Sequence, residues 1–439
     1  MVQILQFLLS LTLLVVLHEF GHFIMARIFK IRVEKFYVFF NPWFSLAKWK
    51  WGETEFGIGW LPLGGYVKIA GMIDESMDKE QLKEPPKPDD FRAKPAWQRL
   101  LVMLGGIIVN TLLAFIIYSA ILFTWGTEYL PASEVNGVMV DSLGMQLGMQ
   151  NGDKILSVNG KKVKKFDDIY RELLLNDPHS LQIERDGQTI NLVLDNGDLA
   201  KVIKHQKPFF TPRLPFVIGG FADTSAAKEV GLQVGDSIIA INGQPVEYFD
   251  QAKPLLKKYK NQEITVTVQR DGKKLDYKVK LPESGMLGVM IDGDLRKYYK
   301  IEKENYTLLE AIPAGVKLGV SQIKDYLKQF KLIFTPETKA YESVGSVISI
   351  GNLFPKTWDW QRFWSLTAFL SIMFAVLNLL PIPGLDGGHA LFALFEIITG
   401  KKPSDKFLEY AQIAGMLFLF ALILLAMWND IARFILKIR

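Results

Sequence analysis

The sequence predicts a polytopic α-helical membrane protein with a large β-rich insert, and three observations lead there. Four stretches, roughly 3–29, 98–125, 364–390 and 408–432, stay apolar over the about 20 residues that a helix needs to cross a bilayer. The region between the second and third stretches reads as short alternating strands broken by Asn-Gly turns. With 49% hydrophobic residues and a mean hydropathy of +0.15, the 439-residue chain is too apolar for a protein that is soluble throughout.

Composition narrows the function classes. The net charge of +5 is small for this length and no long basic run is present, so nucleic acid is not indicated as a partner. There is no cysteine, which excludes disulfides and thiolate-bound zinc; any metal must be held by His, Asp or Glu. Only five histidines are available, and two of them lie four residues apart.

The first apolar stretch lacks a basic segment before it and is followed by Lys30, Arg32 and Lys35, so it reads as a retained anchor. The same bias, continued by Lys48, Lys50, Arg92, Lys94 and Arg99, places the segment after it on the cytoplasmic side. Counting crossings puts residues 126–363 and both termini outside the cytoplasm and the "GKKPSDK" loop inside, in a multi-pass membrane protein. On this topology the first and third helices run in the same direction.

Residues 50–72 carry alternation and paired glycines and predict a β-hairpin lying against the membrane. Residues 73–95, acidic and proline-containing, read as a mobile cytoplasmic loop. In the outer region "GMQNGDKILSVNGKKV" at 148–163 is repeated as "GLQVGDSIIAINGQPV" at 231–246, at an offset of about 83 residues, and "ERDGQ" returns as "QRDGK". Two copies mean two like domains, expected at 126–208 and 209–293, each with a tight Asn-Gly turn. Residues 307–334 have helical spacing and fit two readings, an amphipathic helix on the outer membrane surface or a helix packed on the second repeat, within a 294–363 linker.

The chemistry concentrates in "LHEFGH" at 17–22. His18 and His22, at i and i+4, share one helix face and can reach one Zn²⁺, with Glu19 beside the open coordination position as general base. Three ionisable groups in an apolar helix are costly unless they have partners. Two histidines leave a catalytic zinc one protein ligand short. Asp386 and His389 in "NLLPIPGLDGGHALF" at 378–392, with Glu396 after them, are the donors that parallel helices bring to a similar depth. Pro381 and Pro383 forbid regular helix there, and irregular backbone at membrane depth belongs where it lines a wet cavity.

"HEFGH", "LPLGGYVK" at 61–68, "AKPAWQR" at 93–99 and "NLLPIPGLDGGH" together resemble the site-2 proteases of family M50, in particular the bacterial regulator-of-sigma-E type. The repeats resemble permuted bacterial PDZ domains, which take peptides by strand addition. The fold so implied is a site-2 protease core of four transmembrane helices, helices 1 and 2 in residues 1–125 and helices 3 and 4 in 364–439, with two extracytoplasmic PDZ domains. The resemblance implies one zinc on His18, His22 and Asp386, Glu19 as catalytic base, and Asn378, Pro381, Pro383 and Asn110 as substrate-handling positions.

In the second repeat "GMLGVMI", with Leu287, Gly288 and Val289, fits the peptide-binding loop; the first has "RLPFVIGG" there. The expected substrates are single-pass membrane proteins already trimmed by another protease, such as an anti-sigma factor, or signal-peptide remnants, with the PDZ pair excluding untrimmed ones. The chain departs from relatives at Phe39-Phe40-Asn41, at Gly105-Gly106 and at Gly345-Ser346, none of them in the metal set. Two rival classes remain: a non-catalytic PDZ-bearing membrane scaffold, and a zinc or proton transporter, which the lack of an inverted repeat disfavours.

Overall fold

A computed structural model describes residues 1–72 and 85–436. The part of the expected loop at 73–84 lies outside the described residues. The chain forms two compact units: Met1–Gly126 with Asn305–Phe334 and Tyr341–Arg439, and Thr127–Glu304 with Thr335–Ala340.

The helices are, in chain order, α1 Val2–Ile28, α2 Ala96–Trp125, α3 Phe166–Leu175, α4 Asn196–His205, α5 Phe249–Lys258, α6 Leu308–Ile333, α7 Trp360–Leu379, α8 Asp386–Thr399 and α9 Asp405–Asp430, with shorter turns between them. Among the described residues α1, α2, α7 and α9 are long and apolar enough to cross a membrane. The third predicted stretch, 364–390, is not one helix. It stops at Leu379, turns through Pro381 and Pro383, and resumes as α8 at Asp386, because each proline removes a donor and clashes with the preceding turn.

α1 crosses α2 at a point without side chains. A Cβ on Gly21 would lie 2.3 Å from the Gly105 carbonyl oxygen, and one on Gly106 2.5 Å from His18 Cε1 and 2.6 Å from His22 Nε2. Gly105-Gly106 therefore seats α2 directly on the histidine face of α1, and α7 packs beside both helices. α6 belongs to the helical unit rather than to the unit of the second repeat. It lies against α2 and α7, where Ala311, Gly315 and Gly319, spaced by four, allow close approach to Ser119 and Phe115 of α2.

The predicted hairpin at 50–72 begins much earlier, with β1 Val33–Trp51 and β2 Thr54–Ile69 joined at Gly52, whose φ is 65°. Both strands fold back, so that Lys35–Val38 has partners in Glu55–Ile58 and in Gly65–Lys68. "VEKFYVFF" is β-prone throughout, but without alternation it carries no period-2 signal. At the other end of this unit Asp430 accepts bonds from the backbone and hydroxyls of Ser346 and Ser349, and Ser346 caps the turn Val347–Gly351. The Gly345-Ser346 departure thus supplies an N-cap.

The second unit holds two β-rich lobes built alike. In the first, Asp153 takes a two-pronged bond from Arg185 at 2.7 and 2.8 Å and one from Gln150 N, while Asn159 Oδ1 accepts from Ser180 N. In the second, Asp236 takes Arg270 at 2.6 and 2.7 Å and Gln233 N, and Asn242 Oδ1 accepts from Thr265 N. The repeated Gly-Asp, Asn-Gly and Arg-Asp-Gly sequences are one hydrogen-bond pattern made twice.

Lobe boundaries differ from those expected. Phe209 and Phe210 belong to the first core and Phe210–Pro212 pairs with Val138–Val140, so the first lobe runs past residue 208. Leu295, Tyr299 and Ile301, assigned to the linker, also pack on the first core. "RLPFVIGG" leads into the second lobe's strand Ile218–Phe221, which pairs with Val289–Ile291. It is not the first lobe's counterpart of "GMLGVMI"; by pairing, Phe210–Pro212 corresponds to Val289–Ile291, so that counterpart is residues 206–212.

Candidate metal centre

His18 and His22 project from one face of α1, 9% and 5% exposed. Asp386 arrives on the first turn of α8, placed by the tight turn that the prolines force. A Cβ on Gly387 would meet the Leu380 carbonyl oxygen at 2.3 Å and one on Gly388 the Ile382 oxygen at 2.5 Å, so side chains at these positions would push α8 away. α8 is also tied to α2 by Arg99 Nη2 and Glu396 Oε2 at 2.5 Å.

Three atoms converge. His18 Nε2 and His22 Nε2 are 3.2 Å apart, and Asp386 Oδ2 lies 3.0 Å from the first and 3.3 Å from the second. Ligands about 2.05 Å from a tetrahedral zinc stand roughly 3.3 Å apart, so the triangle has the edges that such an ion needs. Protonation chemistry agrees. His22 Nδ1 is 2.8 Å from the Val102 carbonyl oxygen, which can only accept, so Nδ1 carries the hydrogen and a neutral His22 turns a lone pair inward. That lone pair faces Asp386 Oδ2, a buried oxygen that receives no directed hydrogen bond. Two electron-rich atoms at 3.3 Å leave a place for a cation between them, and the donor set fits zinc.

Of the three nominated partners only Asp386 joins the histidines; among the described residues these three form the one His/Cys/Asp/Glu group close enough to share an ion. Glu396 is engaged by Arg99. His389 lines a cavity of about 730 Å³ in front of the triangle, together with Glu19, Asn378 and, from the hairpin, Tyr66 and Lys68. Asn378 Nδ2 comes to 3.5 Å from His18 Nε2, beside the ion position. Asn110 also lines this cavity, 1% exposed and with its carboxamide 3.3 Å from His18 Nδ1.

Pro381 and Pro383 shape the backbone but do not line the cavity. In the second lobe, Leu287 is buried and its carbonyl is taken by Ala227 N, Gly288 has φ 74°, and Val289 pairs with Phe221. Val102 escaped the sequence reading because its backbone carbonyl is common to every residue type. Arg99 was visible only as part of a motif, with no sign of its partner.

The donor set and the helices that carry it define a class, the zinc-type metallopeptidases with an HExxH helix and a remote aspartate. Residues 6–422 match the model of peptidase family M50, and the chain belongs to that family. It is 30% identical over 442 residues to a protein of Rickettsia conorii provisionally named a zinc metalloprotease, covering 98% of this chain and 99% of that one. It is 28% identical over 459 residues to a like-named protein of Neisseria meningitidis, at 98% and 99% coverage. Similarity to the regulator of sigma E protease of Haemophilus influenzae is 26% over 449 residues, at 98% coverage of each.

Proposed function

We propose that the protein is an intramembrane zinc metalloendopeptidase that hydrolyses peptide bonds within the transmembrane segments of single-pass substrates. The observation that carries this is the triangle of His18, His22 and Asp386 inside an apolar helical frame, opening on a cavity that also holds Glu19. These three residues would hold one zinc, which when bound supplies a Lewis acid that polarises the scissile carbonyl and activates water.

The chain's own groups supply the rest. The Glu19 carboxylate takes the proton of the attacking water and passes it to the leaving amine. The Asn378 amide donates to the substrate carbonyl beside the ion. The substrate must be extended before its carbonyls are open to attack. Gly65–Lys68 supports this: it is extended strand that lines the cavity and pairs with Lys35–Val38, the kind of element that can hold a substrate segment extended alongside it.

The two lobes are read as PDZ modules, on their common hydrogen-bond pattern and their short strands Val138–Val140 and Ile218–Phe221. They would exclude untrimmed substrates of the anti-sigma or signal-remnant kind. The lysine and arginine bias supports an inner-membrane orientation with lobes and termini outside. Two experiments test the reading. Glu19→Gln is expected to keep zinc and lose cleavage of a membrane-spanning substrate; retained cleavage removes the catalytic claim. Removal of Thr127–Glu304 is expected to admit untrimmed substrates, and their continued exclusion defeats the filter.

A further inference from the structure

We propose that Asn110 is a positioning residue that sets the proton of His18: with zinc bound, its carboxamide oxygen accepts a hydrogen bond from His18 Nδ1–H and holds Nε2 as a lone pair. The inference rests on the reading of His18 as a zinc ligand.

His22 shows what a fixed ligand needs. Its Nδ1 donates to Val102 O at 2.8 Å, and the carbonyl allows no other arrangement. His18 Nδ1 meets a side chain instead: it faces Asn110 at 3.3 Å, with the amide nitrogen as the nearer atom. With that nitrogen donating, Nδ1 accepts and the ring proton sits on Nε2, on the side of the ring that faces the donor triangle, with Asp386 Oδ2 3.0 Å from that nitrogen. This arrangement suits a site without zinc, since a protonated Nε2 cannot be a ligand.

It also leaves Asn110 Oδ1 buried with no hydrogen-bond partner. Half a turn of the carboxamide exchanges its oxygen and nitrogen without changing its shape. Oδ1 then accepts from Nδ1–H, the proton count of His18 is unchanged, and Nε2 is free for the ion. Ser371 Oγ, donating to the Asn110 backbone oxygen at 2.7 Å, ties this part of α2 to α7 while the side chain turns. An amide can satisfy either tautomer, whereas the Val102 carbonyl can satisfy only one. Entry of zinc at His18 is thereby coupled to rotation of Asn110.

The test is zinc affinity, measured on purified full-length protein in detergent by competition against a chromophoric chelator. Asn110→Leu, which removes the acceptor, is expected to weaken zinc about 10- to 100-fold. Asn110→Asp, an acceptor of the same shape that cannot donate to Nδ1, is expected to bind zinc as tightly as wild type or more so. Unchanged affinity in Asn110→Leu overturns the proposal. If the leucine variant does not fold, the aspartate decides: a tenfold loss there overturns the acceptor role. His18→Ala separates the two levels, because unchanged zinc affinity in that variant removes the ligand reading itself, while its loss beside an unaffected Asn110→Leu removes only the role of Asn110.

Discussion

The carboxylates of the two lobes and the carboxylate of the metal centre are treated in opposite ways. In the two lobes Asp153 and Asp236 each meet an arginine fork and a backbone N–H, so the charge is matched and the acceptors are filled. In the helical unit Asp386 meets two imidazole edges and receives no directed hydrogen bond. The comparison separates purposes. A carboxylate with its bonds complete holds a loop to a strand; one left incomplete between two imidazole nitrogens is suited to sharing a metal ion with them.

Substitutions of the same kind in the two places should therefore behave differently. The largest effect is expected from Asp386→Asn: zinc content falls below one ion per chain and cleavage drops to background, while thermal unfolding of the metal-free protein changes little. A large loss of metal-free stability would mean that Asp386 is structural after all and would break the comparison.

Asp236→Asn is the mirror case. It weakens the two-pronged bond from the partly exposed Arg270 and the bond from Gln233 N, a loss of about 1 kcal/mol measurable in urea unfolding, with zinc content unchanged. Burial pushes the Asp236 carboxyl up, but the Arg270 ion pair and the Gln233 N–H outweigh it and hold the carboxyl below its usual range. Its contribution is thus present above the unfolded value, about 3.9, and is lost as pH falls through the folded one. Wild type should lose lobe stability on acidification below about pH 4, and Asp236→Asn should lack that component.

Gly106→Ala sharpens the helical side, since the added methyl would meet both zinc-facing rings. We expect about 1–3 kcal/mol of destabilisation with weakened zinc, seen together in unfolding and chelator competition. An alanine variant with unchanged zinc affinity would show that the α1–α2 crossing does not set ligand geometry. A small effect is expected from Ser346→Ala, about 1 kcal/mol from a lost cap, with cleavage unaffected.

Much of the centre was legible because it is local or chemically rare. His18-x-x-x-His22 lies within one turn, and a helix places both rings on one side whatever surrounds it. Pro381-x-Pro383 announces a break in any context. The paired Gly-Asp and Asn-Gly sequences repeat with enough identity to declare two lobes, although not where each ends, since Phe209, Phe210 and Leu295 join the first core from beyond the repeated pattern. The hairpin start was missed because "VEKFYVFF" has strand propensity without alternation.

The sequence by itself determined the donor types, the absence of thiolates, the i,i+4 histidine pair, the broken third helix and the repeat, because each is fixed by residue chemistry or short-range geometry. The resemblance already singled out Asp386 among the three donors; tertiary structure alone decided how closely it meets the histidines, that the Val102 carbonyl orients His22, that Asn110 faces His18, and that α6 packs on α2 and α7. Those outcomes depend on how closely helices distant in sequence approach, and that distance is set by glycines such as Gly21, Gly105 and Gly106, whose role is visible only when the opposing backbone is in place.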